Sequence, residues 1–422
     1  MTSRVLAYTS PARGHLFPLT PILDELRRRG HAISLRTLGS EVESMRRRGF
    51  DAAPIDPAIE AIRHDDFRAR TPRGALRRSI ATFCARAEHD GADLAEAIAG
   101  ERPDALLVDV NSWGALAAAE AWGGPWAALC PYPLPLPSRD APPFGPGLAP
   151  ARGSLGRLRD RLLRPVFWGA FARSTLPPLN GVRERIGLPP LGSTEEIFTR
   201  PPLLLYTTAE PFEYPRGDWP ANVAMVGPCD WDPPAEAPAW LDSVDRPIVV
   251  VTTSSEAQDD ARLVQTALDA LAGEALQVVA TLPAGDPDRL RVPANALVER
   301  WLPHGPLLDR AACAVTHGGM GATQKALARG VPVCAVPFGR DQLEVARRVE
   351  VAGAGTRLPA RRLSAPRLRT SVVEAIRRRG GAARVADGYR AAGGPGAAAD
   401  AFEAALTRPT RRRAPRAGTV QR

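Results

Sequence analysis

Residues Ala314–Val336 read AVTHGGMGATQKALARGVPVCAV. A short apolar run, Ala314–Thr316, passes into the glycine-rich turn His317-Gly318-Gly319-Met320-Gly321. A helical stretch, Gly321–Arg329, leads to a second apolar run, Val333–Val336. Continuous apolar strands alternating with helices mark a parallel sheet covered on both faces. Glycines at a strand-to-helix turn also let backbone N–H groups approach an anion, and the helix start adds the positive end of its dipole. His317, at the mouth of that turn, adds a side-chain donor for a phosphate oxygen.

The alternation extends outward. Upstream lie the runs Ile248–Thr252 and Leu276–Thr281 around a helical stretch at Ala261–Ala272, and downstream a helical stretch at Leu343–Val351. A separate series fills the first half: runs at Val5–Thr9, Ala105–Asp109, Ala127–Cys130, Leu203–Thr207 and Val223–Val226, with helical stretches at Leu16–Arg29 and Gly114–Trp122. Between the two series, Gly227–Trp240 (GPCDWDPPAEAPAW) is dense in proline and lacks periodicity, as a linker does. The expectation is an α/β protein of two doubly wound Rossmann-like domains facing across a cleft. Ligands bind such sheets at the carboxyl ends of the strands, and pockets favour domain interfaces. A second proline-rich stretch, residues 131–150, is too long for an ordinary connection and reads as a binding loop.

Composition narrows the function classes. With 422 residues, 44 % hydrophobic and 24 % charged, the chain is an ordinary globular sequence of about two domains. The net charge of +9 is concentrated at the end: residues 408–422 hold six arginines and no acid. That stretch reads as a solvated, disordered tail, and its arginines do not alternate with aromatics, so nucleic-acid binding is not expected. No apolar run reaches the roughly 18 residues of a membrane span, so no stable membrane insertion is expected. The first residues, MTSRVLAYTSPARGH, carry no signal-peptide core. A cytoplasmic protein is expected. The five cysteines, Cys84, Cys130, Cys229, Cys313 and Cys334, have no CxxC spacing and read as buried reduced thiols. Cys229–Asp232 (CDWD) and Asp286–Asp288 (DPD) match the bare pattern of a metal-binding acid pair, but both lie in proline-rich loops and no metal is expected.

Around the glycine-rich turn other residues fall into order. Upstream, Trp301-Leu302-Pro303-His304 offers an indole for stacking a nucleobase; downstream, Asp341-Gln342 offers acceptors and a donor for sugar hydroxyls. In that order, Trp301 to Gln342 resembles the donor signature of nucleotide-sugar-dependent glycosyltransferases with the GT-B fold, in particular the bacterial macrolide and natural-product branch related to plant and animal UDP-glycosyltransferases. Gly14-His15-Leu16-Phe17-Pro18, followed by Arg29-Gly30-His31, is similar to that family's first strand–helix unit, and Leu179-Asn180 through Leu188-Pro189-Pro190 to a stretch of its bacterial members. The resemblance runs over residues 4 to 405.

The resemblance implies an acceptor-binding domain over 1–226, a linker over 227–240 and a nucleotide-sugar domain over 241–385. It further implies C-terminal helices at 386–407 returning to the first domain, ahead of the basic tail 408–422. It implies an inverting, metal-independent glycosyl transfer without a cofactor, the dTDP- or UDP-sugar being a co-substrate. His15 is the expected base, since imidazole suits proton abstraction at neutral pH, and Asp109 the carboxylate that orients it. Donor contacts are expected from Ser255, Trp301, Leu302, His317, Gly318, Gly319, Met320, Gly321, Lys325, Asp341 and Gln342. The acceptor, a hydroxyl or amine of an apolar natural product, is expected against Phe83, Trp113, Tyr132, Phe144, Trp168 and Phe171. The GC-rich bias of the composition fits secondary metabolism of the actinomycete type.

Two positions depart from the pattern. Where the family usually has a glutamate that accepts from the ribose hydroxyls, this chain has Lys325, its only lysine. A cation cannot accept, so the ribose 2′-hydroxyl goes unread and a dTDP-sugar fits, unless the position faces solvent. Val345 stands where many relatives have asparagine. Alternatives that stay open are a nucleotide-sugar epimerase of the same fold and a non-catalytic nucleotide-sugar or aglycone binding protein; a dinucleotide oxidoreductase is disfavoured because no GxGxxG follows the first strand. The assembly is open too, a homodimer included.

Overall fold

The computed structural model describes residues 2–233, 235–254 and 260–407. Ser255 and the tail 408–422 therefore lie outside the described residues. Seven parallel strands form the first sheet: β1 (Arg4–Tyr8), β2 (Ala32–Thr37), β3 (Asp51–Pro54), β4 (Ala105–Asp109), β5 (Trp126–Cys130), β6 (Leu204–Tyr206) and β7 (Val223–Met225). Six more form the second: β8 (Ile248–Thr252), β9 (Gln277–Thr281), β10 (Ala296–Glu299), β11 (Ala311–Thr316), β12 (Val333–Ala335) and β13 (Gly355–Arg357). Their spatial orders are β3-β2-β1-β4-β5-β6-β7 and β10-β9-β8-β11-β12-β13, so each sheet reverses direction once, between β1 and β4 and between β8 and β11. These two switch points are where a doubly wound sheet opens a crevice at its strand ends.

The central strands are apolar along their whole length because helices cover both faces. β4, β5 and β8 are buried at every residue. Each sheet accordingly carries two cores, one per face. All five cysteines lie buried and unpaired within them.

Two helices are longer than any stretch the sequence marks: Pro72–Glu101 and Gly153–Arg185. The second contains Pro165, Pro177 and Pro178 and exposes Leu155, Leu158, Leu162 and Val166, so neither proline placement nor a single apolar face marks it as one helix. Near the C-terminus, the helix Arg379–Ala391 runs through the expected boundary at 385/386. The next, Gly394–Leu406, packs Ala398, Ala399 and Phe402 against Leu16, Leu19 and Leu23 of the first lobe. Arg29 binds Asp400 at 2.6 Å and Glu403 at 2.7 Å there. Among the described residues, no helix is long and apolar enough to cross a membrane.

Candidate functional site

One cavity of 1890 Å³ lies between the lobes, lined from both switch points. Small-molecule pockets usually enclose about 300–1,000 Å³. This one has room for two ligands at once.

The first-lobe wall begins where β1 ends. The helix Arg13–Arg28 starts there, and His15 in its first turn reaches Asp109 at the end of β4. His15 Nδ1 and Asp109 Oδ1 are 2.8 Å apart. Asp109 is 1 % exposed, and besides His15 it accepts from Ser10 N (2.9 Å), the Ser10 hydroxyl and Asn111 N (3.1 Å). Burial alone would raise its carboxyl; the charge and hydrogen bond of His15, with those of Ser10 and Asn111, overcome that and hold it below the ordinary range. An ionised carboxylate only accepts, so it takes Nδ1–H and leaves the lone pair on Nε2. That atom faces the Asn111 side-chain amide at 3.1 Å, whose oxygen accepts from Tyr132 Oη at 2.8 Å. Ser10 and Asn111 were not singled out from sequence, although Asn111 lies two residues past Asp109, at the strand end where polar side chains of such sheets gather.

The second-lobe wall is built at the end of β11. Gly319, Met320, Gly321 and Ala322 line the cavity at the start of the helix Met320–Ala328, whose first N–H groups have no carbonyl within the helix to bond. His317 is buried, and burial, with the nearby Arg340 charge, brings its imidazole down to about 4, so it is neutral at pH 7. Its Nδ1 has no hydrogen-bond partner among the described residues. The ring lies over Gly319, where a Cβ would come within 2.4 Å of Nε2. Thr252, Thr253 and Ser254, at and just past the end of β8, complete this wall. Trp301, half exposed, and Leu302 line its rim.

Two expected donor residues stand behind the wall. Gly318 (φ +83°) does not line the cavity: a Cβ there would sit 3.1 Å from Gln342 O, so its glycine serves a tight turn. Gln342 also lies outside the lining, its Oε1 accepting from Phe338 N (2.8 Å) and Gly339 N (3.2 Å). It folds the loop that presents Asp341. Asp341 itself lines the cavity; burial raises its carboxyl, against the pull of Arg340 and His15, whose charges it feels.

Lys325 corrects the solvent-facing alternative. It is 9 % exposed, and its ammonium rests among three acceptors of the linker: Trp231 O at 3.0 Å, the Asp232 carboxylate and Asp230 Oδ1 at 3.5 Å. Asp230 also pairs with Arg329. The acids of the CDWD segment are thus committed to cations of the helix Met320–Ala328 and its end. Val345 is fully buried in one of the two cores of the second sheet rather than facing a sugar.

All six expected acceptor residues, Phe83, Trp113, Tyr132, Phe144, Trp168 and Phe171, line the same cavity. Phe83 lies 5.2 Å from Trp113, Trp168 lies 5.8 Å from Phe171, and the Tyr132 ring is 5.8 Å from His15. The arrangement is an apolar chamber ending at an imidazole, facing a cradle of N–H donors.

Comparison with known proteins adds the family and the fold. Residues 265–404 match the family described as "Erythromycin biosynthesis protein CIII-like, C-terminal domain". The chain is 36 % identical to a 4'-demethylrebeccamycin synthase of Lentzea aerocolonigenes over 412 residues, 93 % of this chain and 96 % of that protein. It is 40 % identical to a PGL/p-HBAD biosynthesis rhamnosyltransferase of Mycobacterium bovis over 240 residues, 56 % of this chain and 52 % of that one. Among solved structures, the calicheamicin glycosyltransferase CalG4 aligns with a TM-score of 0.74 at 22 % identity, covering 97 % of this chain and 100 % of that one. The glycosyltransferase VinC in complex with dTDP aligns at 0.70 and 21 %, covering 96 % and 99 %. At that identity these two speak for the fold, which is GT-B.

Proposed function

From the premise that this chain belongs to the GT-B glycosyltransferases, in their bacterial natural-product branch, we propose that it moves a sugar with inversion from a dTDP- or UDP-sugar to a hydroxyl or amine of an apolar aglycone. That it is a glycosyltransferase is plain from the family; the epimerase alternative finds no support among the relatives, which are named as a synthase and as glycosyl- and rhamnosyltransferases.

In this reading the acceptor displaces the Asn111 amide from His15 Nε2. The nucleophile attacks the anomeric carbon as His15 takes its proton, and the bond from that carbon to the diphosphate oxygen breaks. The imidazolium that forms is stabilised by Asp109, 2.8 Å away. The electron pair leaves with the nucleoside diphosphate, whose negative charge meets the N–H groups at the start of the helix Met320–Ala328 and the imidazole of His317. These protein donors do the stabilising, so no metal is called for. Asp341 and Trp301 are read as contacts to sugar and base. Lys325, held by Asp232, offers the ribose no acceptor, which favours a dTDP-sugar.

The single observation that carries the proposal is one cavity holding an Asp-oriented imidazole on one wall and a helix N-terminus beside the His317 imidazole on the other. His15→Ala tests it: transfer drops by about 10²–10⁴-fold, the usual contribution of a positioned base, while nucleoside diphosphate affinity is retained. Undiminished transfer would discard the base. Competition between dTDP and UDP for the purified protein tests the donor, and a clear UDP preference overturns the dTDP reading.

A further inference from the structure

The loop Gly339-Arg340-Asp341 belongs to the second lobe, yet the first lobe grips it from two sides. Arg340 has φ +53°, in the left-handed region that is unfavourable for an ordinary L-residue. Its guanidinium forks onto Asp66 of the first lobe, Nε to Oδ2 at 2.9 Å and Nη2 to Oδ1 at 2.7 Å. Asp66, in the turn Asp66–Arg68, is 5 % exposed, with His64 Nδ1 4.0 Å away. A bidentate arginine–carboxylate pair of this kind fixes orientation as well as distance.

The second grip is a few residues on. Glu344 Oε1 accepts from Gly145 N (2.8 Å) and Gly147 N (2.9 Å) of the proline-rich loop that carries Phe144. Arg347 Nε donates to Gly147 O at 2.8 Å. Gly147 has φ +60°, and a Cβ there would meet Leu343 O at 2.4 Å, so the two backbones touch. On the far side Glu344 Oε2 accepts from Arg348 Nη1 at 3.1 Å, which anchors the carboxylate. Asp341, the one carboxylate of this loop that lines the cavity, is thus carried between two first-lobe contacts, and its own loop is closed by Gln342.

We infer that Arg340 is a positioning residue through which Asp66 of the acceptor lobe sets the backbone of Asp341, so that the donor-sugar contact is in register only while the acceptor-side loop is docked. The inference rests on the reading of Asp341 as a sugar contact. Its physical basis is separate: a strained backbone needs surrounding structure to hold it, and the bidentate pair to Asp66 of the opposite lobe is one contact that does so. An acceptor-side loop that moves away releases the strain and lets Asp341 turn. Donor engagement and closure of the acceptor chamber are then one event, which guards the activated sugar from water until the chamber is assembled.

Asp66→Asn tests this, because it keeps the side-chain shape and leaves Arg340 in place. Three measurements are made on the full chain: backbone amide exchange, affinity for dTDP or UDP alone, and steady-state kinetics with the sugar nucleotide. Expected are faster exchange at 338–343 as well as at 64–68, an unchanged nucleotide Kd, and a rise of about tenfold or more in KM for the sugar nucleotide. Arg340→Lys, which keeps the charge and loses the fork, gives a smaller effect of the same kind, and the double variant Asp66→Asn/Arg340→Gln is no worse than Arg340→Gln alone. Exchange confined to 64–68, or additive effects in the double variant, would overturn the inference. A protein that binds neither nucleotide would instead refute the donor reading and leave the exchange result standing.

Discussion

Asp109→Asn perturbs the base without touching the cavity wall. The carboxylate is 1 % exposed and takes hydrogen bonds on both oxygens: His15 Nδ1 and Asn111 N on Oδ1, Ser10 N and the Ser10 hydroxyl on Oδ2. An asparagine has one oxygen for these donors. With that oxygen kept toward His15, its NH₂ faces Ser10 N–H, and a buried donor left unsatisfied costs about 1–3 kcal/mol of stability. The larger effect is on the reaction. Proton transfer makes an imidazolium whose charge centre lies about 4 Å from the carboxylate; at an effective dielectric of about 20 that attraction is about 4 kcal/mol. Its loss slows the step by about 10³-fold. With the amide turned the other way, NH₂ meets Nδ1, the proton moves to Nε2, and the base is silenced altogether. The assay is product formation followed by mass spectrometry at saturating donor, beside calorimetric binding of the nucleoside diphosphate and urea unfolding. A kcat within tenfold of wild type, in a folded variant that binds nucleotide, would refute the reasoning. The stability loss has a pH signature as well. The Asp109 carboxyl is depressed in the folded protein, so its contribution is complete above the unfolded value near 3.9 and is lost as pH falls through the folded one. The gap between wild type and variant therefore closes in acid, as pH falls through the folded value of Asp109.

Other perturbations probe the opposite wall. His317 sits at about 4 when free, and a bound diphosphate raises it, so nucleotide binding near pH 5.5 takes up protons and the uptake fades by pH 8; calorimetry in buffers of different ionisation enthalpy reads this, and heats independent of buffer contradict it. Gly319→Ala places a methyl where only 2.4 Å separates it from His317 Nε2, pushing the ring aside and weakening nucleotide binding by about tenfold, 1.4 kcal/mol; an unchanged Kd would mean that His317 does not touch the diphosphate. Lys325→Gln removes the cation between Asp230 and Asp232 and costs about 1.5–3 kcal/mol of stability, the range for hydrogen bonds to charged groups. Its nucleotide preference stays the same, since the ammonium is already committed to the linker; a swing from dTDP towards UDP would show instead that Lys325 meets the ribose.

How much of this was written in the sequence depends on range. The inner strands and the turns after them are local: an apolar run such as Ile248–Thr252 is buried at every residue because helices cover both faces, and it reads as such. The edges do not. β3 (DAAP), β10 and β13 are three or four residues long, and β2 mixes polar with apolar residues, so their pairing in the sheet, not their composition, makes them strands. His15 and Asp109 were legible because the ends of β1 and β4 fall side by side in this topology. Asn111, by contrast, matters only through a contact to His15 that no spacing announces. The same holds for Asp66 with Arg340, which stand 274 positions apart, and for Lys325: its departure from the family pattern is visible in sequence, but the linker acids that receive it are found only when the lobes are folded.

The proposed reaction is a direct displacement at the anomeric carbon, with the base on one side of the sugar and the departing diphosphate on the other. The measurement that meets it most directly is the anomeric configuration of the first-formed product, read by proton NMR from the coupling between the first two sugar protons, with a donor of known configuration. Inversion relative to the donor is expected; a product that retains the donor's configuration rules out direct displacement.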